Sequence, residues 1–575
     1  MASGGGGSGT RPAALQRISV GAAPRKRRNV GHSNGVLRGG YTAMGPVRAG
    51  GRADGILVGR WGLGFEERDT AAMMSQSVIF PDRMQKKALS WIAAVCVAAS
   101  LLTISVAWWT GHTASGSAVA AVNYPREIAR VTFAAAGDVI PHQAVVQAAV
   151  AQAKVLAQET KEAKEANDGK EAKEAKETAG GSTSVPASGA TTKAAAPPSG
   201  ENPHAGWDSL FAGVSEVFRQ ADFAFVNLET PVAPKHSRGT KAFMFNAPMA
   251  LVESLKSNNV KIVSFANNHV FDQGHAGFGE SLEHLQEEGF LFAGAGSSAD
   301  DAWKPRIAEK NGIKVGWLGM TRWLNGNRNP EKDSDPHVAF FPYPGQAMGA
   351  PGRDEAGVLE AVKAAREACD LLVISIHWGA EYSVAPSPQD EELAHKMLEA
   401  GASAIIGHHP HVLQAVETYV TEDGRNTVIF YSLGNFLSNQ ARNYVSGFTP
   451  DRTGEQRDSL MVKFAVVKKD YGPAGMRVEL ADVGILPVWT ENNNLQVKAR
   501  KAKTPFIGPV FIDREIARLQ GRYDELDKIG DQLTADQKKE FVQVSKRLEM
   551  FKHRRELLLG RTGDDFLIAP PEDRK

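Results

Sequence analysis

From Val131 onward, one apolar strand after another in this chain ends on a side chain able to bind a cation. VTFAAA runs into Gly137-Asp138, FAFV into Asn227-Leu-Glu229, and KIVSFA into Asn267-Asn268-His269. Farther along, LLVISI ends in His377-Trp-Gly, AII leads into Gly407-His408-His409-Pro410-His411, and VIFYSLG ends in Asn435. Helical patterns separate these strands, at Trp207–Gln220, Ala247–Asn258, Gly277–Glu288, Glu355–Ala368 and Gln389–Ala400. Strands alternating with helices predict an α/β domain with largely parallel or mixed sheets. Ligands of such sheets bind beyond the carboxyl ends of the strands. Groups hundreds of residues apart are therefore expected to meet at one rim. Two late strands, Met461–Val467 and Arg477–Ile485, read as antiparallel and edge-like.

The rim suits a pair of divalent ions. Two cations about 3.5–4 Å apart need a bridging carboxylate, with imidazole and amide ligands completing the shells. Glu229 is the expected bridge, Asp138 and His411 the ligands of one ion, and Asn268, His377 and His409 those of the other. His269 is left to donate a proton, and Asp272 or Glu381 to orient a ring nitrogen. Asn227 and Asn435 stand behind these ligands at their strand ends. A lone strand-end histidine is more often structural, and Asn-Asn-His alone also suits a turn. The joint pattern favours metal. His142, His236, His275 and His284 read as loop or helix-surface residues. The only cysteines, Cys96 and Cys369, exclude a disulfide framework and a thiolate zinc site.

The ends of the chain differ in character. Ala88–Trp109 runs 22 residues without a charge, long enough for a hydrocarbon core of ~30 Å. Arg83, Lys86 and Lys87 precede it and no Lys or Arg follows until Arg126. The positive-inside rule then leaves the N-terminus cytoplasmic and everything after Trp109 periplasmic or extracellular, on a single-pass anchor in the cell membrane. A cleaved signal peptide is the competing reading, although its apolar region is usually only about 7–15 residues. Residues 1–87, with GGGG and RKRR, read as a flexible basic tail, and Met73 or Met74 as an alternative start. Residues 110–130 form a linker and 131–500 the main domain. Within that domain the Ala/Lys/Glu-rich tract from Gln143 to Glu177 reads as a solvated helix, and 155–203 as a low-complexity insertion. Residues 506–575 predict a helical hairpin, its second helix opening on the capping box Thr534-x-x-Gln537. Lys plus Arg total 66 against 65 for Asp plus Glu, which argues against a general nucleic-acid binder.

Taken in order, GDVIPH, FVNLETP, FNAP, SFANNHVFDQG, HWGAEY, GHHPHVLQ and FYSLGNF resemble the CapA family of poly-γ-glutamate capsule biosynthesis proteins over about Val131 to Val488. That family is similar to the calcineurin-like metallophosphoesterases. The resemblance implies a four-layer α/β/β/α sandwich and one or two divalent ions (Mn, Fe, Zn or Mg). It also implies an anionic polymer or phosphoester substrate, and capsule synthetase or export subunits as partners beside the lipid bilayer. Two readings follow from it. One is a membrane-tethered metal-dependent hydrolase acting outside the cytoplasm; the other is a non-catalytic metal-binding scaffold of a polyanion synthesis or export complex.

Overall fold

The computed structural model describes residues 124–178, 202–239, 241–345 and 352–571. The expected tail, the uncharged run 88–109 and most of the insertion after residue 178 lie outside them. Among the described residues no helix is long and apolar enough to cross a membrane.

The strands, in chain order, are β1 (Arg126–Val139), β2 (Phe223–Leu228), β3 (Val260–Ser264), β4 (Leu291–Ala293), β5 (Ala295–Gly296), β6 (Arg306–Lys310), β7 (Ile313–Thr321) and β8 (His337–Val338). They continue with β9 (Leu371–His377), β10 (Ala402–His408), β11 (Val416–Val420), β12 (Asn426–Phe430), β13 (Asn435–Leu437), β14 (Asp458–Asp470), β15 (Met476–Asn492) and β16 (Ile507–Phe511). They build an eight-stranded sheet, ordered β16-β15-β14-β1-β2-β3-β4 with β13 also on β1, and a six-stranded sheet, ordered β11-β12-β10-β9-β7-β6. The pairs β1–β2, β2–β3 and β3–β4 are parallel, as are β7–β9, β9–β10 and β10–β12. The chain is thus α/β with mixed sheets, as the alternation implied.

Side-chain alternation along the strands separates three apolar cores. On β1, Val131, Phe133 and Ala135 enter the core between the two sheets, together with Trp317 of β7, Val373 of β9 and Ile406 of β10. Ala134 and Ala136 face the other way, toward the helices Ala205–Phe211, Met249–Ser257 and Gly274–Glu287. The outer face of the six-stranded sheet (Leu372, Ile374, Ile405) packs on helices Glu355–Glu367 and Pro388–Glu399.

The expected edge strands are not edges. β14 lies between β1 and β15, pairing antiparallel with both, and β16 takes the outer position. β14 is buried along most of its length. The segment expected as one helix at Trp207–Gln220 is two, Ala205–Phe211 and Ser215–Gln220, divided near Gly213, a poor helix former. The helix Gln143–Thr178 packs through Val145, Ala148 and Ala149, then runs exposed from Ala157 to Glu165 where its sequence loses an apolar stripe.

The C-terminal hairpin comprises Ile512–Ile529 and Ala535–Thr562, and the capping box forms as read, with Thr534 and Gln537 bonding each other's backbone N–H. Its stripe of Leu519, Leu526, Leu548 and Phe551 joins the inter-sheet core beside Phe464 and Trp489. The hairpin therefore packs on its own domain. Arg554 bonds Asp458 through both Nε and Nη2, and both side chains are buried.

Candidate metal centre

Strand register assembles the pocket. Asp138 near the end of β1 lies opposite Asn227 of β2 on one side and Asn435 of β13 on the other. In the second sheet His377 of β9 lies opposite His408 of β10. Two glycines permit the backbone approach that this needs: a Cβ on Gly137 would stand 1.9 Å from the Gly434 carbonyl oxygen, and one on Gly407 would stand 2.0 Å from that of Tyr431. Beyond β10 the chain turns sharply. His409 and His411 hold left-handed backbone, at φ 95° and 58°, on either side of Pro410. Such conformations are uncommon outside glycine and persist where the surroundings dictate them. Here both imidazoles are buried in the pocket.

The two sheets meet through these side chains. Asp138 Oδ1 contacts His408 Nδ1 at 3.0 Å and accepts from Asn227 Nδ2 at 2.9 Å, while Oδ2 contacts His411 Nδ1 at 3.1 Å. His377 Nε2 lies 3.0 Å from Asn268 Oδ1 and 3.1 Å from His409 Nδ1. Glu229 occupies the middle. Its Oε2 accepts from Asn227 at 3.3 Å, but its Oε1 has no hydrogen-bond partner. Around that oxygen stand His377 Nε2 and His411 Nε2, each at 3.8 Å, and His269 Nε2 at 4.0 Å. These separations are too long for hydrogen bonds, yet they suit imidazoles and a carboxylate sharing a cation. The ligand atoms of Asp138, Glu229 and His411 lie within 4.8 Å of one another, and so do those of Glu381, His409 and His411.

Burial dominates the electrostatics. It pushes the Glu229 carboxyl well above its ordinary range, helped by the negative charges of Asp138, Glu381 and Asp272. Burial also opposes ionisation of Asp138, but hydrogen bonds and charge from His408 and His411 overcome it and hold that carboxyl below its usual range. Desolvation and then His409 push the His377 imidazole well down; desolvation and then His411 bring His409 to about 3. Both rings are thus neutral near pH 7, the form that binds metal. An unpartnered buried carboxylate oxygen is costly, and a cation seated there would satisfy it. The donor set of imidazole, carboxylate and amide fits a divalent ion.

The structure brings Asp138, Glu229, Asn268, His269, His377, His409 and His411 together. Asp272 orients the His269 ring, Oδ2 lying 2.8 Å from Nδ1, and accepts from the Phe245 N–H at 2.7 Å. Glu381 is exposed and stands at the rim with His409 and His411. Asn227 bridges the two carboxylates, and Asn435 Nδ2 donates to the His411 carbonyl at 3.2 Å. His236 and His275 are exposed on loop and helix as read, bonding Glu280 and the Arg328 carbonyl; His284 is instead buried on its helix, where it bonds the Val232 carbonyl.

Two histidines do more than the sequence reading assigns them. His408 has no role in that reading, yet it holds Asp138; its one sequence signal is membership of the His-His-Pro-His run. His142, read as a loop residue, lies close to the pocket. Its ring stands 5.0 Å from that of Phe245, which in turn lies 4.5 Å from His269. Burial lowers its pKa to about 4.

A buried carboxylate–imidazole pocket at the strand ends of an α/β fold defines a candidate divalent-metal protein. The chain belongs to the bacterial capsule synthesis protein family PGA_cap, whose sequence profile matches residues 132–440. It is 33% identical over 270 residues to the PGA biosynthesis protein CapA of Bacillus subtilis, covering 46% of this chain and 63% of that protein. It is 31% identical over 277 residues to the capsule biosynthesis protein CapA of Bacillus anthracis, covering 47% and 60%. The match thus spans about three-fifths of the length of each relative.

Proposed function

We propose that the protein is a metal-dependent hydrolase of phosphoesterase type, with a four-layer α/β/β/α sandwich, acting in the synthesis or export of a poly-γ-glutamate-like capsule polymer. The observation that carries this reading is the unpartnered Glu229 Oε1 facing three imidazoles at 3.8–4.0 Å. Asp138, Glu229 and His411 would hold one ion; Asn268, His377 and His409 the other, with Glu381 at the rim. Bound there, divalent ions supply Lewis-acid polarisation of a phosphoryl or carbonyl oxygen and lower the pKa of water. Asp272 fixes Nδ1 of His269, so Nε2 faces Glu229 and the pocket. In that orientation His269 is placed to protonate a leaving oxygen or nitrogen. Asn227 and His408 keep Asp138 in register, and near-complete burial of the ligands excludes bulk water.

The uncharged run Ala88–Trp109 and its basic flank support an anchor in the bilayer, with the domain outside the cytoplasm beside synthetase or export subunits. The test is divalent-metal content and phosphodiester hydrolysis of the purified full chain. Bound metal and turnover, both lost in His409→Ala, are expected; a metal-free protein indifferent to that change refutes the reading. The enclosure of the pocket favours a second reading, a scaffold in which metal binds without turnover. Full restoration of polymer by His409→Ala in a gene-deletion strain would select it.

A further inference from the structure

The loop that follows β7 touches one half of the metal pocket and not the other. β7 and β9 pair in register, Thr321 opposite His377, and the Arg322 N–H donates to the His377 carbonyl at 2.8 Å. The next residue, Trp323, is half-buried, and its ring stacks on that of His409 with centroids 5.6 Å apart and planes at 28°. A tight turn then runs Leu324-Asn325-Gly326-Asn327, closed by the Asn327 N–H on the Leu324 carbonyl at 2.8 Å. Asn325 and Gly326 both hold left-handed backbone, at φ 49° and 78°, a pairing for which Asn-Gly is favoured. The turn presents Asn325 Oδ1 to the buried Asn268, whose Nδ2 donates to it at 3.2 Å.

His377, His409 and Asn268 are the three candidate ligands of one ion. Asn268 Oδ1 and His409 Nδ1 lie 3.0 and 3.1 Å from His377 Nε2, close to the spacing of about 3 Å between neighbouring ligand atoms on one cation. With Nδ2 tied to Asn325, the Asn268 amide turns its oxygen, the atom able to bind metal, toward the imidazoles. His409 also has Glu381 and His411 within ligand reach, but its Nδ1 contact joins it to His377. Among the described residues no hydrogen bond or ring contact links Trp323 or Asn325 to Asp138, Glu229 or His411. Asn227, His408 and Asn435 hold those three instead. The loop is itself bolted down. Trp323 Nε1 donates to the Gly379 carbonyl at 2.8 Å, and Tyr343 Oη accepts from the Gly379 N–H at 2.6 Å. Tyr343 donates in turn to Asp390 at 2.9 Å, which the buried Arg322 reaches through Nη1 at 3.3 Å.

We propose that Trp323 and Asn325 are positioning residues for one ion of the pair, Trp323 holding the His409 ring and Asn325 the Asn268 amide. The two ion positions then have separate supports, and the braced one can be emptied while the other stays filled. Groups that orient metal ligands typically contribute about 10–100-fold in affinity. The inference rests on the reading of the pocket as a metal centre and divides its support between two networks.

The test titrates the purified full chain in detergent, stripped of metal, with cobalt(II) alone. Stoichiometry and affinity are read by competition with a chelating dye, and indole fluorescence is followed in parallel. Asn325→Gly keeps the left-handed turn at no steric cost and removes only the acceptor. It is expected to weaken one ion tenfold or more and leave the other unchanged, which also checks folding. Asn325→Asp restores the acceptor oxygen and should bind both ions at least as tightly as wild type. Trp323→Ala should lose the same ion as Asn325→Gly. Trp323→Phe keeps a ring on His409 and should retain both ions, while losing the part of the fluorescence quench that the braced ion causes. Wild-type affinity for both ions in Asn325→Gly and Trp323→Ala overturns the proposal. Equal weakening of both ions by Asn325→Gly does so too, as does failure of Asn325→Asp to restore binding. A wild type holding a single ion that Asn325→Gly does not weaken likewise overturns it. All these outcomes leave the metal centre standing, whereas a wild type that binds no cobalt refutes the metal centre itself and the brace with it.

Discussion

Two regions of this protein bury charge, and they do so in opposite ways. Under the C-terminal hairpin, Arg554 holds Asp458 through two nitrogens and reaches the Asp451 carbonyl with a third. Nearby, Arg457 Nε donates to the Thr490 carbonyl and its guanidinium lies over the Trp489 ring. Beside the strand ends, Glu229 Oε1, His377 Nδ1 and His408 Nε2 are buried without partners. The first region spends its charges on locking an added element to the domain; the second leaves donors and acceptors poised for something absent from the chain itself. Satisfied buried charge is a structural device, whereas unpartnered buried polar atoms gathered at a strand-end rim point to a candidate binding site.

The largest effect expected from this contrast is at the locked pair. Arg554→Ala strands the Asp458 carboxylate and should cost about 3–5 kcal/mol in denaturant unfolding. A double change of Arg554 and Asp458 to apolar residues should recover most of that loss. Burial raises Asp458 to about 6 against Arg554's opposing pull. A carboxyl whose folded pKa is raised contributes stability at low pH and loses it as pH rises through the folded value. Wild type should therefore lose stability relative to the double variant between about pH 4 and 6. A flat difference across that window would contradict the assignment.

In the pocket the same kind of surgery should act on metal before stability. His408→Ala removes the group that orients Asp138 and should lower divalent-metal affinity about 10–100-fold, read by competition with a chelating dye. Affinity equal to wild type would show that Asn227 and His411 suffice. The smallest effect reverses in sign. Glu229→Gln relieves the burial of an unpaired carboxylate, so the metal-free chain should gain about 0.5–2 kcal/mol in unfolding while losing metal. A destabilised metal-free variant would place Glu229 with Asp458, as a structural acid.

The pocket was largely legible because each candidate ligand sits where an apolar run stops, and a run's end is a local feature. Asp138, Glu229, His377 and the His-His-Pro-His turn could all be marked that way. The role of His408 could not, although it closes β10 as His377 closes β9. Whether such a residue points at Asp138 or into an apolar core depends on how the two sheets face each other. The same blindness made β14 look like an edge: its hairpin with β15 is local, whereas its other partner, β1, lies far earlier in the chain and is met only through tertiary packing. Trp323 and Asn325 carried no signal at all, being two residues of a loop until the fold set them against His409 and Asn268.

The order of strands and helices, the chemistry offered at each strand end and the hairpin's caps were written in the chain itself, since hydrophobic period and capping act over a few residues. Which imidazole meets which carboxylate, which oxygen goes unpartnered and which loop residues reach the pocket were decided only by tertiary packing. Those contacts join residues such as Asp138 and His411 across two separate sheets, and nothing local to either residue encodes the distance between them.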